Sequence, residues 1–406
     1  MYKKIIAVIS AVLILVMGMA GCSDKPGGSD PAQTDPSQAE PSQAELQEND
    51  YTDDIAIVKE VFDKIKADDA VDQITYFVSF KQKYSTESKK DSEFESDHYT
   101  LSYEGDGTVA LSFDTKGTEV VSTDFFDPEV VGKDLLINGV GYLTGFQHEK
   151  YTYKDEFTDK TADGENRTED VSKENERTFE IAVDDDRFYA SSNAKSQDFN
   201  DPGNDAEDSF SGKIMKAAFI DAIPAELISD AASNLLYMEA WPYIRTVTAY
   251  SNELFADMDF SDDAAINTFF EENDIRAEKT DESVRISFVL DVSSAMERSL
   301  PDPTPGAHMK VSGTMEFDKE TGELTEYAYD MAELLSEILK ADEADRDEFS
   351  SKVDEFTVTG KNVVLTENKV KIVLDDIVNK EYEEYDSASG DEFMDAIVEH
   401  LMPSGK

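Results

Sequence analysis

Cysteine occurs once in the 406-residue chain, at position 22. A disulfide needs a second thiol and a thiolate metal site needs several, so the folded part has neither and must hold together on its core alone. Basic residues are also scarce, with 37 Lys and Arg against 90 Asp and Glu, for a formal charge of −53. They are scattered singly or in pairs, with no cluster to neutralise a phosphate backbone, so nucleic acid is excluded as a partner. Anionic lipid headgroups are repelled by the same surface. The four histidines, His98, His148, His308 and His400, lie far apart and form no His-Glu-x-x-His arrangement, which leaves metalloprotease chemistry without a foothold. Long apolar runs are limited to one, Ile5 to Met17, broken only by Ser10. That run is too short, and too closely followed by Gly18, Ala20, Gly21 and a polar stretch, for a permanent membrane-spanning helix.

What the run does fit is the middle of a secretory leader. Lys3 and Lys4 form the basic start, the apolar run follows, and small residues lead to the single cysteine. Met19-Ala20-Gly21-Cys22 resembles the bacterial lipobox, with Met19 where that motif usually has Leu. The resemblance implies a lipoprotein signal peptide over residues 1–21, diacylglyceryl modification of the Cys22 thiol, and attachment to the extracytoplasmic face of a cell membrane. Two acyl chains at about 0.8 kcal/mol per buried methylene anchor stably, where one chain binds only marginally.

Residues 22–50 carry almost no large apolar side chain and include the near-repeat Asp35-Pro36-Ser37-Gln38-Ala39-Glu40-Pro41-Ser42-Gln43-Ala44-Glu45. Such a segment cannot form a core and reads as a tether, with a reach on the order of 30 Å. The remaining chain is long enough for one large or two modest domains. We divide it into a first helix-plus-meander lobe at residues 51–210 and a helical segment with a second meander lobe at 211–406. Its Phe and Tyr residues, 23 and 17 in the whole sequence, are spread along it and supply the core.

Ile55, Val58, Phe62 and Ile65 recur at helical spacing between Asp53 and Asp69. Ile74 to Phe80 opens the sheet, and His98–Tyr103 and Thr108–Phe113 flank Glu104-Gly105-Asp106-Gly107, whose Asp-Gly signals a hairpin. A second hairpin is expected where Thr178–Val183 meets Arg187–Ser191 across Asp184-Asp185-Asp186. Between them, Tyr153 to Glu176 is so charged that it reads as a long exposed loop or as solvated strand ends. Helices are expected at Ile214–Ala222, from Pro224 toward Tyr237, from Pro242 through Met258, and after Ser261-Asp262-Asp263. The sheet pattern then returns. Val284–Val292 alternates, Met309–Phe317 and Glu323–Tyr329 flank a turn at Asp318–Gly322, Phe356–Leu365 is expected to pair with Val370–Leu374, and Asp391–Leu401 closes the chain as a helix.

The order of helix then meander occurs at residues 53–193 and again at 262–375, which suggests two similar lobes. Strict strand–helix alternation is missing, so the expected class is α+β, a mainly antiparallel, curved, half-barrel-like sheet with covering helices. The lipobox, the tether and long hairpins such as Gly313 to Leu324 are similar to those of LolA/LppX-type lipoproteins. That resemblance implies an apolar cavity that carries lipid or acyl chains, and it transfers no binding residue.

Catalytic and cofactor motifs are incomplete. Ser192-Asn193-Ala194-Lys195 has the Ser-x-x-Lys spacing but trails a strand and lacks a Lys-Thr-Gly partner. Asp291-Val292-Ser293 begins an Asp-x-Ser-x-Ser metal motif that ends wrongly at Ala295. Gly139-Val140-Gly141 meets its third glycine at Gly145, one residue too late for a dinucleotide fingerprint. Asp198 to Asp205 is rich in oxygen ligands, but Pro202 and the missing terminal Glu break the EF-hand pattern. Trp241, with Pro242 and Tyr243, fits a helix corner packed on the core or a cap over a ligand cleft. No catalytic, cofactor or metal residue is therefore assigned, and Cys22 is the one site residue. The expectation is a non-catalytic lipoprotein holding an apolar ligand such as a lipid, or docking an envelope protein partner. A scaffold module without a small ligand is the alternative, and a glycan or cell-wall hydrolase using two carboxylates is the third reading.

Overall fold

A computed structural model describes residues 51–64, 73–114, 139–161, 166–222, 260–291, 310–322, 324–342, 348–362 and 367–400. The leader, Cys22, the tether, the helices expected from Pro224 and Pro242, Trp241, Ser293 and His308 lie outside the described residues. In chain order the elements are α1 (Thr52–Phe62), β1 (Gln73–Asp91), β2 (Glu95–Asp114), β3 (Val140–Asp159), β4 (Asn166–Val183), β5 (Arg187–Asp198), β6 (Ala206–Met215) and α2 (Lys216–Ala222). Then follow α3 (Asp263–Glu272), β7 (Arg276–Lys279), β8 (Ser283–Asp291), β9 (Lys310–Asp318), β10 (Leu324–Asp330), α4 (Ala332–Asp342), β11 (Glu348–Asn362), α5 (Glu367–Val378), β12 (Glu383–Glu384) and α6 (Gly390–His400).

All twelve strands belong to one sheet, in the order β12-β6-β5-β4-β3-β2-β1-β11-β10-β9-β8-β7. Every pairing is antiparallel except the short parallel contact of β12 with β6. The two ends of that order do not pair with each other among the described residues, so the sheet is open. The protein is mainly β, which corrects the expected α+β class with covering helices. The two meanders are not separate lobes either, because β1 pairs with β11 from Tyr76↔Asn362 to Lys89↔Glu348.

Longer strands than the sequence suggested account for the correction. β2 runs for 20 residues straight through Asp106-Gly107, where a hairpin was expected. These glycines serve close approach instead of a turn. A Cβ at Gly107 would lie 2.5 Å from the Phe80 ring, which rests on the strand there. Of the charged stretch 153–176, residues 153–159 and 166–176 are strand, the second of the two expected readings, because β3 and β4 pair from Gly141↔Val183 to Thr158↔Asn166. Glu367–Val378 is helical, so β11 pairs with β1 and β10 in place of the expected partner. Val373 and Ile377, four residues apart, both pack against the opposite face of the sheet.

Other elements follow their local signals. Asp184 Oδ1 accepts from the N–H groups of Asp186 (2.8 Å) and Arg187 (2.7 Å), closing the β4–β5 turn. Asp318 Oδ1 does the same for Glu320 (2.9 Å) and Thr321 (2.8 Å), and Gly322 takes the left-handed φ of 77° that ends the β9–β10 turn. Asp262 caps α3.

Period-two alternation sends one side of the longer strands into a common core. In β1 this side is Val78, Phe80, Gln82, Tyr84, Thr86 and Ser88; in β8 it is Val284, Ile286, Phe288 and Leu290. At one edge of this core face, α2 and α6 bring Phe219 and Phe393 onto Phe188. Leu334, Leu335, Ile338 and Leu339 of α4 join the same core, as do Val58 of α1 and Ile266 and Phe270 of α3. On the opposite face, Leu374 and Ile377 of α5 pack with Tyr142, Ala182 and Tyr189.

Candidate functional site

The register places core-face residues of β1, β2, β3 and β4 in rows across the sheet. Val78, Val109, Gly145 and Phe179 form one row, with Leu111, Leu143 and Ile181 in the row beside it. Farther along the strands come Tyr84, Tyr103 and Tyr151, then Leu101, Tyr153 and Val171. Between these two apolar zones lies a polar band formed by Gln82, Gln147, Glu149, Asn175 and Arg177, two rows deep.

Gln82 is buried, whereas Gln147, Glu149, Asn175, Arg177 and Tyr103 are half-buried, on the side of the strands that elsewhere faces core. Glu149 is the hub. Asn175 Nδ2 donates to its Oε1 at 2.6 Å and the Tyr103 hydroxyl donates to its Oε2 at 3.3 Å. The Tyr103 ring stacks on Tyr84 with centroids 5.1 Å apart. Burial, and then the Glu149 charge, push the Tyr84 phenol above its ordinary pKa, so it stays a neutral group at the edge of the band. The Arg177 guanidinium lies 5.8 Å from the Phe179 centroid and donates to the His400 carbonyl at 3.5 Å.

Amides, a hydroxyl, a carboxylate and a guanidinium thus stand side by side with apolar rows on both sides. The band offers donors and acceptors to the polar part of a molecule, while nearly all residues of the apolar rows beside it are buried in the core. Composition did not expose the band. Strand parity would have shown it, since Gln147, Glu149, Tyr151 and Tyr153 share the parity of Leu143.

The motif residues singled out in the sequence are not brought into a reactive group. Ser192 and Lys195, three apart on β5, point to opposite faces; Ser192 Oγ donates to the His400 carbonyl at 3.1 Å and Lys195 pairs with Glu207 at 3.8 Å. Asp291 ends β8. Gly141 and Gly145 lie within β3 under the rings of Phe113 and Phe179, and Gly139 accepts from Lys216 Nζ at 3.1 Å, so none forms a phosphate-binding turn. In the 198–205 segment the carboxylates are taken up by backbone: Asp198 Oδ1 accepts from Asn200 and Asp201, and Asp205 Oδ1 accepts from Asp198 N–H at 2.8 Å. Among the described residues, no three His, Cys, Asp or Glu side chains are grouped to hold a metal ion. His98 pairs with Glu87 at 3.0 Å, His148 lies between Asp106 and Glu174, and His400 pairs with Asp208 at 2.8 Å while stacking on Phe210.

No family model matches the chain, and no curated protein matches it in sequence. Among solved structures it has weak similarity to the β domain of the Bordetella autotransporter Brka, at 9% identity over 72% of this chain and 99% of that one, with a TM-score of 0.12. The translocator domain of the autotransporter NalP from Neisseria meningitidis gives 8% identity, 77% and 99% coverage, and a TM-score of 0.12. Similarity at that level carries no conclusion about fold or function.

Proposed function

We propose that this protein is a lipoprotein tethered through Cys22 to the extracytoplasmic face of a membrane, and that it binds an apolar ligand with a polar end, a lipid, without catalysing a reaction. The half-exposed polar band between two apolar zones of the core face carries this reading. A core face serving only stability gains nothing from Gln147, Glu149, Asn175 and Arg177, because each polar group withdrawn from water must find a partner merely to break even. The band supplies hydrogen bonds to the polar end of such a ligand, and the ligand's hydrocarbon chain takes the place of contacts that now bury the flanking apolar rows. The lipobox and tether support the location, since they hold such a face near lipid.

The test is native mass spectrometry of the chain from Ser23 onward, secreted by a bacterial host, followed by solvent extraction. A released lipid in about one-to-one ratio is expected, and Glu149→Leu with Asn175→Leu should change which lipid is retained. A mass equal to the bare polypeptide, unchanged after incubation with lipid vesicles, would overturn the reading.

A further inference from the structure

On the face of the sheet opposite the core, α5 covers β3, β4 and β5. Farther across the same face lies a trough of about 420 Å³, and among the described residues its lining comes from β1, β11, β10, β9 and β8 alone. Register sets out the outward side chains of that lining in two rows. One runs Phe77, Lys361, Glu326, Glu316 and Arg285, and the other runs Ser79, Thr359, Ala328 and Thr314. Four spacings of about 4.8 Å between strands make the first row about 19 Å long.

Three features set the trough apart from an ordinary solvated sheet face. Glu326 and Glu316 stand directly opposite each other, a like-charge pairing that costs stability. Each is matched by a cation on its outer side: Lys361 Nζ donates to Glu326 Oε1 at 2.5 Å, and Arg285 Nη2 donates to Glu316 Oε2 at 3.4 Å. The row is therefore neutral in a chain that carries a formal charge of −53. Phe77 ends it with a ring that is 36% exposed. In the second row no side chain is longer than threonine, so hydroxyls and methyls form a low floor beside the taller wall.

We propose that this trough binds a neutral glycan chain laid across the strands. A pyranose ring has an apolar C–H face and a rim of hydroxyls that both donate and accept. Phe77 meets the face, the carboxylates of Glu316 and Glu326 accept from hydroxyls, and Lys361 and Arg285 donate to them. Ser79, Thr314 and Thr359 do either. An anionic ligand is repelled by the charge of the whole surface. A peptide strand adds to a sheet edge, and β1, β11, β10 and β9 are paired on both sides. A glycan needs neither charge nor edge. The trough lies across the sheet from the polar band and does not depend on the lipid reading.

The experiment is titration calorimetry of the full-length chain with cellohexaose, laminarihexaose, mannohexaose and chitohexaose. At least one should bind. Phe77→Ala should weaken that binding by about tenfold through loss of the ring contact, and Ala328→Phe, which fills the floor, should abolish it. No binding of any of the four, or binding that either variant leaves unchanged, overturns the proposal. Should a variant not fold, the wild type decides alone, through acetylation of its lysines read by peptide mass spectrometry. Saturating glycan should slow the reaction at Lys361, whose side chain is 58% exposed, and leave Lys352, outside the trough, unchanged. Equal rates at Lys361 with and without glycan overturn it.

Discussion

Gly360 and Tyr327 provide a sharp test of how the core face is built. The two residues are cross-strand partners on β11 and β10, and the Tyr327 ring, 5% exposed, lies flat over the glycine. A Cβ at position 360 would fall 1.9 Å from Tyr327 Cζ, 2.1 Å from its hydroxyl oxygen and 2.4 Å from Cε2. The ring would have to move by more than an ångström, yet Tyr329 stands edge-on at 6.3 Å and Met315 is its partner on the other side. Overpacking of this kind costs about 1–3 kcal/mol, and a ring confined on both sides belongs near the upper value. Tyr327→Ala alone should cost about 3–5 kcal/mol through lost burial. Once the ring is gone the clash is gone, so Gly360→Ala in the Tyr327→Ala background should cost nothing and even recover about 0.5 kcal/mol of chain entropy. Urea unfolding of the four proteins therefore predicts a coupling of about 3 kcal/mol. As a control, Gly203→Ala, whose Cβ would meet only Asp201 Oδ1 at 3.2 Å, should shift stability by less than about 0.5 kcal/mol. Additive effects of Gly360→Ala and Tyr327→Ala would refute the close-approach account of the strand glycines, including the account of why β2 passes through Asp106-Gly107 without turning.

Three further outcomes follow from named contacts. Asp262 accepts from the N–H groups of Ala264 (3.0 Å) and Ala265 (3.1 Å), so Asp262→Ala should lower the unfolding free energy by about 1 kcal/mol, with extra exchange confined to α3. Phe188 is fully buried and stacked on Phe219 at 4.2 Å, so Phe188→Ala should cost about 3–5 kcal/mol in denaturant titrations, whereas Phe199→Ala, at an exposed ring, should stay within about 0.5 kcal/mol. His148 bridges Asp106 (3.1 Å) and Glu174 (3.0 Å); burial opposes its protonation, and the hydrogen bonds to the two carboxylates outweigh it, leaving its pKa above 6.5. The bridge contributes fully below the unfolded pKa and is lost as pH rises through the folded one, so His148→Gln should cost up to about 1 kcal/mol in mild acid and nothing in mild alkali. A penalty equal at both pH values would contradict that assignment.

Legibility in the sequence followed the range of the interaction. Turns and caps set by one side chain and its near neighbours, at Asp184, Asp262 and Asp318, could be read directly, as could the alternation of β8 and the closing helix α6. Gly105 and Gly107 were misleading because the reason for them, the rings of Tyr103 and Phe80, includes a residue on another strand. The charged stretch 153–176 left loop and solvated strand ends both open because its outward residues are charged, and Tyr153, Asp155 and Val171 on the core face were too few to decide for strand. The pairing of β1 with β11 joins residues almost 290 positions apart in Tyr76↔Asn362 and has no local signature at all. Without that pairing, two meanders resemble two lobes.

The polar band falls between these cases. Reading β3 by parity from Leu143 gives Gly145, Gln147, Glu149, Tyr151 and Tyr153, a run that is apolar at both ends and polar in the middle. β4 read from Phe179 gives Arg177 and Asn175, and then Lys173 and Val171. Each strand alone looks like a strand leaving the core for solvent, which is the ordinary meaning of such a change. Register changes that meaning, because Gln147 meets Arg177 and Glu149 meets Asn175, while Leu101, Tyr153 and Val171 resume the apolar surface beyond them. A polar interval bounded by apolar rows on the same face is the feature on which the proposed ligand reading rests. The strand-by-strand polarity could be read from sequence; that the intervals coincide is a property of the pairing.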